Sequence, residues 1–231
     1  MLIYAHRGAS ADYREMSRAA YLAAVEQGAD GFECDLRITK DRVLICWHDA
    51  DLLRIAQSPL TVAGSTLSEL RAVTEILTFE ELLDIALIHH KNLAFETKHP
   101  VPSGRAVEVE LIKALASNSD RIKVAGIDIA IMSFSWWAIR RVRKSGILGI
   151  YLIAHRWQRI LNLFGGIGPG IFLLREDHGL GRKLKRSNRK LFIWTVNTPE
   201  DLKVAHQAKA DVVMTDTPGK MREYLSALEE F

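Results

Sequence analysis

The segment ADGFECDLRITKDRVLICWH, residues 29–48, holds two apolar β-type runs on either side of a short polar turn. Side chains alternate between the two faces of a strand, so Glu33 and Asp35 share one face and the apolar residues beside them share the other. Residues 36–47 leave no room for a helix, and the four residues TKDR, 39–42, are typical of a tight turn. The segment therefore predicts a strand that carries two acids and continues into an antiparallel hairpin.

Eight β-type runs alternate with helical stretches along the chain, which indicates an α/β protein. Capping-box spacing marks helix starts at Thr66 and Thr78, Thr198 followed by proline marks another, and Gly28 is placed to end a helix. Eight βα units in 231 residues predict one (β/α)8 TIM barrel spanning residues 1–231. An open doubly wound sheet is the alternative, less favoured because no GxGxxG follows the first strand. The predicted strands are Leu2–Ala5, Gly31–Leu36, Asn92–Glu96, Ile129–Ser133, Leu148–Ile153, Gly170–Leu174, Leu191–Val196 and Asp211–Thr215.

The composition excludes several classes of protein. The net charge of +3 is too small to indicate a nucleic-acid partner. No apolar run approaches the roughly 20 residues that span a bilayer, and the chain begins with a strand-like run instead of a signal stretch. We therefore expect a cytoplasmic location, and the sequence gives no indication of oligomeric state. Cys34 and Cys46 lie in apolar runs and are expected as buried free thiols, with a disulfide as the less favoured alternative.

Charged residues and histidines lie at the ends of the predicted strands. His6 and Arg7 follow the first strand, Glu33 and Asp35 close the second, and Glu96 and Lys98 share a face at the end of the third. Counting back equally from the turn at 39–42 sets His48 opposite Glu33. Because active sites of such barrels lie at the carboxyl-terminal mouth, these side chains are predicted to meet there.

The residue types suit metal-assisted chemistry on a phosphate. Three converging carboxylates repel one another unless a hard cation lies among them, and oxygen ligands suit Mg²⁺ or Ca²⁺ better than zinc. Arg7 offers bidentate binding of phosphate and Lys98 a point charge, while His6 and His48 can act as general base and general acid. The competing interpretation is that the acids form structural salt bridges with Arg7, Arg37 and Lys98. It weakens when all three acids lie at strand ends.

Two apolar stretches near strand ends are less informative. Ser135 is expected to cap a helix whose tryptophans, Trp136 and Trp137, pack into the core, and Phe134 could line the mouth. Residues 160–172 combine apolar side chains with glycines. A helix and loop that pack on the barrel are favoured there over a mobile lid for a lipid-like substrate.

Six stretches form a joint pattern across the chain, namely AHRGAS at 5–10, GADGFECDLRITKD at 28–41, WHD at 47–49, FETK at 95–98, FIWTVNTPEDL at 192–202 and ADVVMTDTP at 210–218. The pattern resembles the glycerophosphodiester phosphodiesterase family. The resemblance implies a (β/α)8 barrel that hydrolyses glycerophosphodiesters to glycerol 3-phosphate and an alcohol with a divalent cation. It implies metal binding by Glu33, Asp35 and Glu96, acid/base catalysis by His6 and His48, and substrate binding by Arg7, Lys98 and Trp194, the last at the mouth.

Two positions depart from the family pattern. The family usually has Pro-Glu-Asn-Thr after the first loop, whereas this chain reads Arg14-Glu15-Met16-Ser17, so the glutamate is kept and the asparagine is lost. Arg42 stands where the family has a turn glycine. These departures affect the first loop and the hairpin turn and leave the implied site residues intact.

The expected mechanism uses one histidine to deprotonate water or the glycerol 2-hydroxyl and the other to protonate the leaving alkoxide. His6 is the preferred base and His48 the preferred acid, although sequence does not order them. One alternative is a lysophospholipase D type activity on lipid substrates, which an apolar mouth built partly from residues 160–172 would favour. A second is a non-catalytic phosphodiester-binding protein, supported only by the lost asparagine at Met16.

Overall fold

Strands and helices alternate along the chain in this computed structural model, which describes residues 1–161, 165–185 and 189–229. The strands are β1 Leu2–His6, β2 Gly31–Ile38, β3 Leu44–Cys46, β4 Asp51–Leu52, β5 Ser58–Thr61, β6 Asn92–Thr97, β7 Ile129–Ser133, β8 Leu148–Ile153, β9 Gly166–Pro169, β10 Phe192–Ile193 and β11 Val212–Thr215. The α-helices are α1 Arg18–Glu26, α2 Leu53–Ala56, α3 Leu67–Arg71, α4 Phe79–Ile88, α5 Ala106–Ser117, α6 Ser119–Ala125, α7 Trp136–Lys144, α8 Ile171–Glu176, α9 Leu180–Lys185, α10 Pro199–Gln207 and α11 Pro218–Glu229. Two 3₁₀ turns occupy Val62–Gly64 and Arg156–Leu161.

Eight parallel strands form a barrel in the order β10, β11, β1, β2, β6, β7, β8, β9. Two isolated parallel bridges, Ile167–Leu191 and Gly170–Trp194, join β9 to β10 and close the circle. The predicted (β/α)8 barrel is therefore confirmed. The predicted hairpin after the second strand is present as β3, which pairs antiparallel with β2.

Alternate side chains of the strands fill the barrel interior, as in other barrels of this kind. Apolar residues of six strands form that inner cluster, and larger clusters lie between the strands and the surrounding helices. The segment between β3 and α4 carries its own small core beside the barrel, built around Ile45, Trp47, Leu52 and Leu70. This segment returns the chain from the hairpin to the barrel mouth.

The predicted helix signals at four positions are confirmed. Thr66 and Thr78 each accept from the backbone N–H three residues later and form complete capping boxes. Thr198 caps α10, with proline at the first helical position. Gly28 follows α1 with a φ of +75°, a left-handed conformation that glycine adopts without strain.

The sixth barrel strand lies earlier than predicted. The run Gly170–Leu174 was predicted as a strand, but Ile171–Glu176 forms α8 and the strand is Gly166–Pro169. Large side chains of β8 occupy the space beside β9, since a Cβ on Gly166 would lie 2.1 Å from Ile150 Cδ1 and one on Gly168 2.6 Å from Leu152 Cδ2. The strand must therefore be glycine-rich, and it lacks the apolar alternation that marks a strand in sequence.

The hairpin register differs by one residue from the prediction. Leu36 pairs with Cys46 and Ile38 with Leu44, so extending this register sets Asp49 opposite Glu33, and His48 comes one residue before that position. The prediction assumed a four-residue turn. The loop has three residues, because Thr39 N–H donates to Val43 O and Arg42 adopts a φ of +65°. This conformation is the one that a glycine would adopt easily at Arg42.

Both cysteines are buried free thiols, as predicted. Among the residues described, no helix combines the length and apolar character that crossing a bilayer requires. The cytoplasmic location and the single domain over residues 1–231 stay predictions.

Candidate active site at the barrel mouth

The carboxyl-terminal ends of β1, β2 and β6 bring the three predicted acids together. Parallel pairing sets His6 beside Glu33 and Asp35 beside Glu96. One carboxylate oxygen from each of Glu33, Asp35 and Glu96 lies within 4.8 Å of the others. All three side chains are buried, at 2%, 0% and 9% exposure. The alternation of side chains along β2, which the sequence revealed, is what directs both of its acids to the mouth.

Two cations lie against these acids. Lys98 Nζ lies 2.6 Å from Asp35 Oδ1 and 2.6 Å from Glu96 Oε1, and Arg7 Nε lies 2.8 Å from Asp35 Oδ2. Burial alone would raise the pKa of Asp35, but Lys98 and Arg7 outweigh it and lower that pKa to about 2. Arg37 takes another role, since its Nε donates to the backbone oxygen of His48 at 2.8 Å.

The protein's own cations do not neutralise the whole cluster. Burial, followed by the neighbouring charge of Asp35, raises the pKa of Glu33 to about 8 and that of Glu96 to about 7. Both oxygens of Asp35 are buried and accept no well-directed hydrogen bond, so they are held by charge alone. The three acids offer only oxygen ligands, they do not all ionise readily without a further positive charge, and the Asp35 oxygens lack directed hydrogen bonds. Such a cluster fits a hard divalent cation.

His6 is held by residues that follow the last barrel strand. Its Nδ1 lies 2.7 Å from Asp216 Oδ1, while Ser10 and Asn197 also donate to the carboxylate of Asp216. Burial would lower the pKa of His6, but the hydrogen bond to Asp216 and the charge of Glu33 raise it above its usual value. The pKa of Asp216 is lowered, because these hydrogen bonds outweigh its partial burial. The ionised Asp216 therefore accepts from Nδ1 and leaves Nε2 of His6 free, 3.9 Å from Glu33 Oε2.

A chain of ion pairs connects the second histidine to Arg7. His48 Nδ1 lies 2.7 Å from Asp49 Oδ1, and Asp49 Oδ2 accepts from Arg54 Nε at 2.7 Å. Arg54 also contacts Glu15 at 2.5 Å, and Glu15 accepts from Arg7 at 3.3 Å. Burial lowers the pKa of His48, and the nearby positive charges of Lys98 and Arg7 act in the same direction.

The mouth contains a cavity of about 260 Å³ with two chemically different halves. The charged half is lined by His6, Arg7, Glu33, His48, Glu96 and Lys98, and the apolar half by Met132, Phe134, Leu152, Trp194 and Met214. Trp194 packs edge-on against Phe134 at 5.5 Å and donates to Gly168 O at 2.8 Å. Asp35 lies below the cavity wall, where it contacts the two cations. His48 reaches this cavity despite the shifted hairpin register.

The first loop keeps its shape without the family's asparagine. Arg7 and Met16 have φ of +60° and +54°, and the Met16 N–H donates to Arg7 O at 2.8 Å. Asparagine tolerates this left-handed region better than methionine. Gly8 cannot be replaced easily, because a Cβ would lie 2.7 Å from Ala20. The backbone contact supplies the link that the lost side chain does not.

The sequence did not predict Asp216, Asp49 and Arg54 as site residues. Asp216 follows β11, which pairs with β1 so that Thr215 lies beside Ala5. Closing the predicted barrel from its last strand to its first would have placed Asp216 near His6. Arg54 carried no such signal, because it lies on a short helix outside the barrel pattern.

Comparison with known proteins agrees with this fold. A probable glycerophosphodiester phosphodiesterase 1 from Mycobacterium tuberculosis is 30% identical, covering 96% of this chain and 92% of that protein. A glycerophosphodiester phosphodiesterase from Caldanaerobacter subterraneus is 29% identical, covering 94% of each chain. A solved phosphodiesterase from Oleispira antarctica, in complex with the product sn-glycerol-3-phosphate, superposes with a TM-score of 0.79 at 21% identity and covers 98% of this chain and 97% of its own.

The fold and these relatives make the chain a barrel enzyme of the phosphoric diester hydrolase class. The glycerophosphoryl diester phosphodiesterase family model matches residues 6–220, nearly the whole chain. The chain belongs to this family.

Proposed function

We propose that this protein hydrolyses glycerophosphodiesters to glycerol 3-phosphate and an alcohol, with the help of a divalent cation. The observation that carries the proposal is the convergence of three buried carboxylates with His6 and His48 at one cavity. Family membership supports the reaction class. The small-molecule substrate fits a cavity whose charged half suits a phosphate and whose apolar half suits carbon chains.

Glu33, Asp35 and Glu96 would hold the cation, and their oxygen donors suit Mg²⁺ or Ca²⁺. When bound, the cation neutralises phosphate charge and acts as a Lewis acid. Arg7 and Lys98 reach the same cavity and bind the non-bridging phosphate oxygens, where fixed positive charge also stabilises the transition state. Trp194 and Phe134 offer an apolar wall for the carbon atoms of the substrate.

The two histidines act as an acid/base pair through their Nε2 atoms. Each holds an aspartate with Nδ1, which fixes the ring and leaves Nε2 toward the cavity. The raised pKa of His6 keeps its proton available for the leaving alkoxide, and the lowered pKa of His48 leaves a free lone pair for the nucleophile. For the site without a cation, these directions suggest His48 as base and His6 as acid, the reverse of the order preferred from sequence.

Release of glycerol 3-phosphate from glycerophosphocholine and glycerophosphoethanolamine tests the proposal. We expect turnover that EDTA abolishes and that Mg²⁺ or Ca²⁺ restores, and a loss of roughly 10²–10⁴-fold in His6→Asn and His48→Asn. Glu33→Gln should lose metal-dependent turnover, while the matched surface variants Glu223→Gln and His206→Asn keep it. Turnover that survives EDTA, or survives Glu33→Gln, contradicts the proposal.

A substrate with a 4-nitrophenolate leaving group distinguishes the general acid from the general base, because this group departs without a proton. His6→Asn should lose much less activity on it than on glycerophosphocholine, whereas His48→Asn should lose activity on both. The opposite pattern would restore the order preferred from sequence.

The apolar half of the cavity favours one second candidate, a lysophospholipase D type activity at the same site. Residues 162–164 of the stretch considered as an alternative lid lie outside the described residues, and Gly166–Pro169 belongs to the barrel. Turnover of lysophosphatidylcholine without turnover of glycerophosphocholine would select this candidate. Binding of either compound without turnover would select the non-catalytic alternative.

A further inference from the structure

The barrel rim above β7, β8 and β9 exposes large aromatic side chains. Trp137 in the first turn of α7 is 62% exposed, Trp157 after β8 is 61% exposed, and Phe172 in the first turn of α8 is 39% exposed. Because these residues follow the carboxyl ends of three adjacent parallel strands, they lie at the same end of the barrel as the cavity. Exposed aromatic residues grouped at one rim are typical of an interaction surface.

Trp137 was predicted as a core residue, and the structure contradicts this. Ser135 caps α7 as expected, and successive residues of a helix point about 100° apart, so neighbouring tryptophans cannot both face the barrel. Trp136 is half-buried, and Trp137 lies edge-on to it at 4.9 Å and faces outward.

The charge on this side of the rim is mainly positive. The sequence contains no aspartate or glutamate at 98–107, 134–147, 154–161 or 170–174, which follow the carboxyl ends of β6, β7, β8 and β9, and Asp177 pairs with Arg156 at 2.6 Å. These segments contain exposed cations, among them Arg105 at the start of α5 and Arg140 on α7. The acids of the mouth, such as Glu15 and Asp49, follow β1 and the hairpin instead.

Helix α7 carries both an exposed tryptophan and exposed cations. Trp137, Arg140 and Lys144 are exposed and spaced by three and four residues, which places them along one face. The Arg140 guanidinium carbon lies 5.5 and 5.8 Å from the ring centroids of Trp136 and Trp137. Trp137 and Arg140 lie in the first half of α7, the part nearest the rim, and tryptophan beside a cation is typical of surfaces that contact a membrane interface.

We infer that the basic aromatic rim, defined by Trp137, Trp157, Phe172, Arg105 and Arg140, docks the enzyme on bilayers that contain anionic lipid. Tryptophan partitions to the headgroup level of a bilayer, and anionic lipid attracts arginine and lysine. Two copies facing each other through this rim would bring like charges together, so an isologous dimer fits the surface less well. Docking would turn the cavity mouth toward the lipid headgroups.

Sedimentation of the full chain with vesicles tests the inference, and no turnover is involved, so its outcome is independent of the proposed function. Vesicles of phosphatidylcholine alone are compared with vesicles that also contain phosphatidylglycerol. We expect binding to the anionic vesicles, weakened by salt. Arg140→Gln should bind about fivefold more weakly, the factor that corresponds to ~1 kcal/mol per cation, and the double variant Trp137→Ala, Trp157→Ala at least about tenfold more weakly.

Ile88→Ala and Lys113→Gln serve as controls, since both residues are exposed and lie away from the rim. These controls should bind as the wild type does, and circular dichroism should show that every variant is folded. The inference is wrong if the wild type ignores anionic vesicles, if it prefers neutral ones, or if the double variant binds equally well. A concentration-dependent dimer that Trp137→Ala abolishes would identify a second copy as the occupant and would also overturn it.

Discussion

Asp216 sets the tautomer and orientation of His6 across the seam between the last and first strands. Replacing Asp216 with asparagine keeps the shape but removes the negative charge that holds Nδ1–H. We expect kcat to fall by roughly 10²–10⁴-fold, as when the aspartate of a catalytic triad is replaced. Steady-state kinetics with glycerophosphocholine measures this loss, and Ser10→Ala should cost far less because it leaves the Asp216 charge and its contact with His6 Nδ1 in place. Equal activity of Asp216→Asn and wild type would show that His6 needs no such partner.

Arg54 is a positioning residue, because it touches both Glu15 and Asp49 and does not line the cavity. Arg54→Ala should lower kcat by about tenfold with little change in KM, since misplaced catalytic groups slow the chemical step. Arg54→Lys should restore only part of the rate, because lysine lacks the planar fork that holds two carboxylates. Arg121→Ala, which removes another exposed ion pair, is the matched control. A rise in KM with unchanged kcat would instead give Arg54 a role in binding.

At the scale of single elements, the hairpin turn stores strain at Arg42. A non-glycine residue in the left-handed region costs about 1–2 kcal/mol of folding free energy. Glycine avoids this strain, but part of the advantage is lost because glycine gives the unfolded chain more conformational entropy. Arg42→Gly should therefore be more stable than Arg42→Ala by about 0.5–1 kcal/mol. Alanine is the right control, because both variants lose the exposed ion pair to Glu110. Urea unfolding measures the difference, and equal midpoints would mean that the turn relaxes around the Cβ.

The sequence predicted strands correctly where apolar and polar side chains alternate clearly. It failed where close packing against a neighbouring strand requires glycine. Ile129–Ser133 and Leu148–Ile153 match the predicted strands residue for residue. Strand β9 was not predicted, because Ile150 and Leu152 leave room only for glycine beside them and the strand therefore lacks apolar alternation. The run Gly170–Leu174 looked like a strand because it is apolar, but Ile171–Glu176 forms a helix that buries Ile171, Leu173 and Leu174.

The candidate site was predictable for a similar reason. Alternation and strand ends bring Glu33, Asp35 and Glu96 together, and they do meet. The partners of the histidines depend on contacts between distant parts of the chain, as between His6 and Asp216, or on a helix outside the βα pattern. The contact of His6 with Asp216 follows only from closing the predicted barrel, and nothing in the sequence indicates the position of Arg54. The three-residue turn at 40–42 also shifted the register that the sequence suggested.

At the scale of the whole molecule, Glu108 ties the outer helices to the loop after β6. This carboxylate is fully buried, accepts from Arg141 Nε at 2.7 Å and lies 3.0 Å from His99 Nε2. Burial would raise its pKa, but the hydrogen bonds from His99 and Arg141 outweigh burial and lower it. The stability that Glu108 contributes is therefore present above its unfolded pKa of about 4.3 and is lost as the pH falls through its folded pKa.

Glu108→Gln should consequently lower the free energy of unfolding by roughly 1.5–3 kcal/mol near neutral pH, the range for hydrogen bonds to a charged group. The difference from wild type should shrink below about pH 4, where the wild-type carboxylate also becomes neutral. Glu110→Gln on the same helix is the control, because its ion pairs with Arg42 and Lys113 are exposed and should contribute less than about 1 kcal/mol. Denaturant unfolding between pH 3 and 7 follows both variants. If the Glu108→Gln difference stays constant across that range, packing around the side chain, and not its charge, holds α5 against α7.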